Sequence, residues 1–140
     1  MAFKVFLDTN TLLDFTLKRE KYPHTRRLLE WTVKGHLLSY TTPSVIQIAS
    51  HWLTAVYGQD RARKLLLALL AEVHVIDIGH DITMNALHSK ISHMEDALSY
   101  YTALHHKLDY FISWDMGLRE AALPALPVYS PEEFIVYSTI

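Results

Sequence analysis

Cysteine is absent from the 140 residues, which excludes a disulfide framework, a thiolate zinc site, an iron–sulfur cluster and a cysteine nucleophile. That absence fits a reducing, intracellular setting. Glycine is scarce, with 4 residues, and none forms a phosphate-binding cluster after the first apolar run, so a dinucleotide-binding domain is not expected. Long apolar runs are also missing. The longest, Leu65 to Ala71, closes at Glu72 and falls far short of the roughly 20 residues of a membrane span. The N-terminal apolar run is cut by Asp8 with no small-residue cleavage site after it, so a secretory signal is not expected and a cytoplasmic location is. Neither sign of charge dominates: 13 Lys and Arg stand against 15 Asp and Glu, a formal net charge of −2. A nucleic-acid contact would therefore need a local basic patch, because the molecule as a whole repels phosphate. What the chain does have is core material, 50% apolar residues including 3 Trp, 8 Tyr and 5 Phe. Its length predicts one domain over residues 1–140.

Phe3-Lys4-Val5-Phe6-Leu7 is aromatic and β-branched and ends at Asp8-Thr9-Asn10, the pattern of a buried strand leading into a turn or helix. Helical spacing follows through Leu12, Leu13 and Leu17, is punctuated by Pro23, and resumes through Leu28, Leu29, Trp31 and Val33 to a stop at Gly35. Leu37 to Tyr40 suits a second strand. Thr42-Pro43 is a cap followed by the proline favoured in a first helical turn, and Val45, Ile46, Ala49, Trp52, Leu53 and Val56 form the apolar side before Gly58. Further helices are expected over Asp60 to Ala71, over Asp81 to Ser89 and from Ser92, where Ser92-His93-Met94-Glu95 has capping-box spacing. Val73 to Ile76, Tyr110 to Ser113 and Leu126 to Tyr129 read as strands. Pro127 puts the last of them at an edge, and Ser130-Pro131-Glu132-Glu133 starts a final helical turn. Strands separated by helical segments of this length predict a three-layer α/β/α sandwich around a parallel sheet of four or five strands.

In such folds the working site lies beyond the carboxyl ends of the central strands. Asp8 follows the first strand, Asp115 follows a later one, and Asp96 lies in the first turn or so of the intervening helix. If the two strands are neighbours, three carboxylates converge, and like charges in a partly buried site destabilise the fold. A hard divalent cation removes that cost. Magnesium or manganese on carboxylate oxygens and waters polarises phosphoryl oxygens and supplies hydroxide, so the implied chemistry is phosphodiester hydrolysis. Each acid also has a structural reading. Asp8 and Asp115 can be helix caps, Glu95 a capping-box partner, and Asp96 an acid welcomed by the helix N-terminus.

The runs Val5-Phe6-Leu7-Asp8-Thr9-Asn10-Thr11-Leu12-Leu13-Asp14, Glu95-Asp96-Ala97-Leu98-Ser99-Tyr100-Tyr101-Thr102-Ala103-Leu104, Ile112-Ser113-Trp114-Asp115 and Val128-Tyr129-Ser130-Pro131-Glu132-Glu133-Phe134 resemble the PIN domains, most closely the compact bacterial group similar to VapC-type toxin ribonucleases. The resemblance implies a metal-dependent ribonuclease, the toxin of a toxin–antitoxin pair, with Mg2+ or Mn2+ held by Asp8, Asp96 and Asp115. It further implies that Asn10 supports the first acid, that Ser113 orients the metal-bound water, and that Glu95 or a neighbour adds an outer carboxylate. One position departs from the pattern. Where the family usually carries an acid in the helix after the second strand, this chain has Ile48, which cannot bind a metal; Gln47 points roughly 100° away. Asp14 reads as a surface acid rather than a replacement.

Lys18, Arg19, Lys21, Arg26 and Arg27, with Arg61, Arg63 and Lys64, form two basic stretches, which are either solvated helix faces or a track for an RNA backbone. The nine histidines include His88 with His93 and His105 with His106, neither at the i, i+4 spacing that puts two imidazoles on one helical face. Trp114 reads as a core or interface residue, with base stacking the lesser reading. Trp31, Trp52, Tyr57 and the Leu65 to Ala71 run suggest an interface, hence a homodimer or a partner helix, as readily as core packing. Two functions are carried forward: an endoribonuclease with an RNA substrate and an antitoxin partner, and a PIN-like RNA- or protein-binding module whose catalysis is weakened or lost, as Ile48 suggests. A haloacid-dehalogenase-like phosphatase would need a second Asp where this chain has Asn10.

Overall fold

The structure, a computed structural model, describes residues 2–138. In chain order the elements are β1 (Phe3–Leu7), α1 (Thr9–Thr16), α2 (Tyr22–Val33), β2 (Leu37–Thr41), α3 (Pro43–Tyr57), α4 (Gln59–Leu70), β3 (Val73–Val75), α5 (His80–His88), α6 (Met94–His105), β4 (Tyr110–Ile112), α7 (Met116–Ala121), β5 (Val128–Tyr129) and α8 (Pro131–Tyr137). The five strands form one sheet in the order β3-β2-β1-β4-β5, and every neighbouring pair is parallel. Because parallel crossovers are right-handed, a chain that runs from β1 outward to β3 lays α1–α4 on one face. Returning across the sheet to β4 and β5 then lays α5–α7 on the other. The packing agrees: α1 touches both α2 and α3, α3 touches α4, α5 packs on α6, and α8 returns to α2.

Strands covered on both faces need apolar residues at consecutive positions. Val5, Phe6 and Leu7 of β1 are essentially without exposure, as are Phe111 and Ile112 of β4. Phe6 and Phe111 are register partners whose rings stack at 4.8 Å, and Tyr100 of α6 covers Phe111 at 5.6 Å. On the opposite face Tyr110 meets Phe134 of α8 at 5.3 Å, and Phe134 meets Trp31 of α2 at 6.4 Å.

Local signals act where the sequence puts them, with two differences. Thr42 caps α3 by accepting from the Val45 amide at 3.2 Å, and Ser130 and Glu133 form a capping box on α8. Pro127 gives the sheet only its carbonyl, which accepts from the Phe111 amide at 3.0 Å, so its missing N–H costs nothing. The first helical stretch, however, breaks before Pro23. Lys18 takes a left-handed φ of 52° after α1, and Pro23 stands in the first turn of α2, where its fixed φ suits the start of a helix. The capping box expected at Ser92 does not form. His93 is the N-cap of α6 and makes no side-chain cap, because Glu95 is drawn to another element.

The Tyr100 hydroxyl, fully buried, donates to the Leu126 carbonyl and accepts from the Leu123 amide, both at 2.7 Å. It ties α6 to the segment entering β5. Replacing Tyr100 with Phe strands two backbone groups and should lower unfolding stability by about 2–4 kcal/mol, measured by urea denaturation; an unchanged midpoint would show that this tie contributes nothing.

Candidate functional site

The sheet changes direction between β1 and β4, since the chain leaves β1 toward β2 on one side and leaves β4 toward β5 on the other. Such a switch point opens a crevice at the carboxyl ends of the two strands. Asp8 and Asp115 stand there because each ends a strand connection and caps the next helix. Asp8, in an extended conformation, accepts from the Thr11 amide through Oδ1 at 2.9 Å. Asp115 does the same for α7, accepting from the Leu118 amide through Oδ1 at 3.1 Å. Each cap engages one carboxylate oxygen and leaves Oδ2 for another partner. Gly117 leaves the second acid room, since a Cβ there would lie 3.2 Å from Asp115 Oδ1. From the other side of the crevice the first turn of α6 brings Glu95 and Asp96, where the helix dipole favours anions.

These elements enclose a cavity of about 470 Å³ lined by Asp8, Thr9, Asn10, His93, Met94, Glu95, Asp96, Ser99 and Asp115. The three acids picked out by the sequence therefore share one cavity. Asp96 is close enough to Asp115, Asp8 and Glu95 to feel their charges, and Asp8, 7% exposed, stands at the end of β1. Among the described residues no three His, Asp or Glu side chains close into a compact ligand cluster.

The electrostatics follow from burial and crowding. Burial raises the Asp8 carboxyl above the usual carboxylate range, opposed by hydrogen bonds from the Ser113 side chain and from Thr11. Asp96 is pushed up to about 7, first by burial and then by its hydrogen bond to Asp115 and the negative charges of Asp115, Asp8 and Glu95. Positive charge entering the cavity would oppose this upward push and favour the ionised form of Asp96. The Ser113 hydroxyl, 3% exposed, also accepts from the Asp115 amide at 3.1 Å, so one serine supports two of the acids.

The remaining predicted residues divide. Glu95 is not a capping partner; its Oε1 accepts from the Thr9 hydroxyl at 2.8 Å, which turns it into the cavity and joins α6 to the start of α1. Asn10 lines the cavity, but its side-chain Oδ1 accepts from Arg19 Nη1 at 3.5 Å; the support expected of it comes to Asp8 from Thr11 and Ser113. Ile48 is half-buried on α3 and is not part of the cavity wall. Asp14 is no surface acid. It is 6% exposed and accepts from Trp114 Nε1 at 2.9 Å, outside the cavity lining. Nothing in the sequence singles out Thr9 or Thr11, because a hydroxyl or an amide just after the first acid is common to any capped helix.

The basic residues are similarly split. Arg26 and Arg27 pair with Glu30 at 3.1 and 3.9 Å, and Arg61 lies over the Tyr57 ring at 4.6 Å. Arg19 and Lys21 approach the site, Arg19 through Asn10 and Asp14 and Lys21 with its Nζ 5.0 Å from the centre of the Trp114 ring. One face of that ring is thereby covered. The aromatic stripe divides too, with Trp31 in the core and Trp52 about half exposed.

A PIN domain family model matches residues 4–117. No curated protein is recognisably similar in sequence. Among solved structures, VapBC2 from Rickettsia felis, bound to a DNA fragment from their promoter, superposes with a TM-score of 0.70 at 13% identity, over 91% of this chain and 98% of that chain. VapC20 of Mycobacterium tuberculosis, a sarcin–ricin loop cleaving toxin, superposes with a TM-score of 0.68 at 17% identity, over 86% of this chain and 97% of that one. At such identities the likeness shows the fold: a five-stranded parallel sheet flanked by helices, matching VapC structures.

The raised Asp96 carboxyl sets the sign of a pH effect. A group that is harder to ionise folded than unfolded contributes stability below its unfolded value, and that stability is lost as pH rises through the folded one. Without divalent metal, stability should therefore fall as pH rises from about 4 to about 7, the interval between the ordinary value of 3.8 and the folded value of Asp96. Asp96→Asn should flatten this slope and raise the thermal midpoint of the metal-free protein at pH 7.5. A wild-type slope retained in the variant would show that Asp96 is not its source.

Proposed function

The chain belongs to the PIN domain family, and on that premise we propose that it is a divalent-metal-dependent endoribonuclease, the toxin of a toxin–antitoxin pair. The observation that carries the proposal is the meeting of Asp8, Asp96 and Asp115 in one cavity at the switch point of the sheet. The donor set suits magnesium or manganese. Asp8, Glu95, Asp96 and Asp115 offer only carboxylate oxygens, although His93 and Met94 also line the wall, and the cavity has room for the several waters that magnesium keeps while using one or two carboxylates directly. Asp8, Asp96 and Asp115 would hold the ion, one or two of them directly and the rest through its waters, with Glu95 as an outer carboxylate.

When bound, such an ion supplies Lewis-acid polarisation of a phosphoryl oxygen and a nucleophilic hydroxide near neutral pH. The chain's own residues supply the setting. Asp96, its carboxyl pushed up to about 7, would give up its proton to such an ion, and Asp115 stands beside it in the same cavity. Ser113 holds Asp8 and Asp115 in mutual register and is placed to orient a water beside them. Thr9 holds Glu95 toward the same space, and Arg19 and Lys21 flank the mouth, where they would meet the substrate's phosphates.

An antitoxin partner belongs to the same proposal, on the analogy of VapBC2. The apolar groove of about 360 Å³ between α1, α2 and α4, lined by Phe15, Tyr22, Leu29, Val33, Leu65 and Leu69 among others, offers a seat for an amphipathic helix. No helix among the described residues is long and apolar enough to cross a membrane, and we place the protein in the cytoplasm. The dimer expected from the sequence would draw on exposed Trp52, Val56 and Leu67. Ile48 favours a second reading, a binding module with weakened catalysis, and the position of Glu95 speaks against it by returning a fourth carboxylate to the cavity from another helix.

Given single-stranded RNA and manganese, the wild-type protein should cleave it. Asp96→Asn should cut the rate at least ~100-fold, since losing even an outer-shell partner of a metal costs 10–100-fold; equal cleavage by both proteins would expose a contaminant. Manganese at about 100 times its Kd should stabilise the wild type by ~2.7 kcal/mol, and absence of saturable binding would favour the second reading.

A further inference from the structure

Asp14 and Trp114 have no part in the cavity wall, yet they join its two sides. Asp14 belongs to α1, the helix capped by Asp8. Trp114 lies between Ser113 and Asp115 in the segment joining β4 to α7. The indole Nε1 donates to Asp14 Oδ2 at 2.9 Å across 100 residues of sequence, and a carboxylate acceptor makes this a strong bond. Arg19 Nη1 stands 3.7 Å from Asp14 Oδ1 and balances its charge. Lys21 lies over the indole ring, and the His24 ring meets it edge-on at 6.3 Å, so the ring is clamped from the α1–α2 side. The strand hydrogen bonds nearest this segment are Asp8 N–H to the Ile112 carbonyl at 3.5 Å and Ser113 N–H to the Tyr129 carbonyl at 2.9 Å. Beyond Ser113 the main chain leaves the sheet, and Asp115 is held by α7, a helix of 6 residues.

We propose that the Asp14–Trp114 hydrogen bond is a strut that fixes Asp115 relative to Asp8, making Asp14 and Trp114 positioning residues for the metal-dependent reaction. The inference rests on the ribonuclease reading of the acid cavity. Without the strut the Ser113–Asp115 segment is free to swing about the end of β4, and the two acids lose their common register. With one indole face covered by Lys21 and the N–H bound to Asp14, the ring acts through its N–H.

The test compares wild type with Trp114→Phe, Asp14→Ala and Asp14→Asn, the last retaining an oxygen that can accept from the indole. Expected for Trp114→Phe and Asp14→Ala is a manganese affinity about tenfold weaker by calorimetry, the cost of losing an outer-shell partner. Their kcat on single-stranded RNA should fall by roughly 10–100-fold while KM stays nearly constant, since misplacement affects the reacting geometry rather than substrate binding. In metal-free protein the Leu118 amide, bonded to Asp115, should exchange its hydrogen faster in both, and Asp14→Asn should restore most of each loss. If Asp14→Ala does not fold, Trp114→Phe, which keeps the ring, decides. Folded variants with wild-type kcat, manganese affinity and Leu118 exchange would overturn the strut, as would a raised KM at constant kcat, which would make Trp114 a substrate contact. Should the wild type bind manganese but leave RNA intact, the ribonuclease reading fails and the affinity and exchange measurements still judge the strut. A wild type that binds no manganese overturns both.

Discussion

Mutual repulsion among carboxylates drawn out of water is the constraint around which this molecule is arranged. Asp8 is pushed up by burial and Asp96 is pushed up to about 7 by burial and its acidic neighbours. Like charges gathered so closely weaken a fold unless protons or a cation share the space. The surrounding structure answers with donors: the amides of Thr11 and Leu118, the hydroxyls of Ser113 and Thr9, and the positive end of α6. These fix where the oxygens stand without neutralising them. The cavity remains short of positive charge, which is the condition a divalent cation would meet.

The architecture explains how distant residues arrive together. A parallel sheet whose chain turns back between β1 and β4 puts two strand ends side by side, and each end delivers an aspartate that also caps the following helix. Capping and the proposed metal binding are compatible. One oxygen of each carboxylate anchors a helix while the other remains available, so the cap would also set where a ligand oxygen stands.

Much of this was legible in the sequence. Strand-ending Asp8 and Asp115, the alternation of strands with helices, and the place of Asp96 in the first turn of the intervening helix were enough to bring three acids to one sheet edge. What misled was local spacing taken alone. Ser92 and Glu95 have the separation of a capping box, yet Glu95 bonds to Thr9, a partner 86 residues away that no local pattern reveals. Asp14 lies on the first helix among residues of both kinds and looked like a surface acid. Its burial depends on Trp114, 100 residues on, a contact that exists only once β1 and β4 pair. Side chains governed by one helix turn were readable, and those governed by tertiary neighbours were not.

The central claim is that the acidic cavity lacks a positive charge that a divalent ion supplies, and it is tested most directly by following the side-chain carboxyl carbon of Asp96 through a pH titration by NMR, without and with saturating magnesium. The account predicts a midpoint of about 7 in the metal-free protein and a shift down toward the ordinary carboxylate range when magnesium is present. A midpoint in the ordinary range without metal, or one that magnesium does not move, would contradict it.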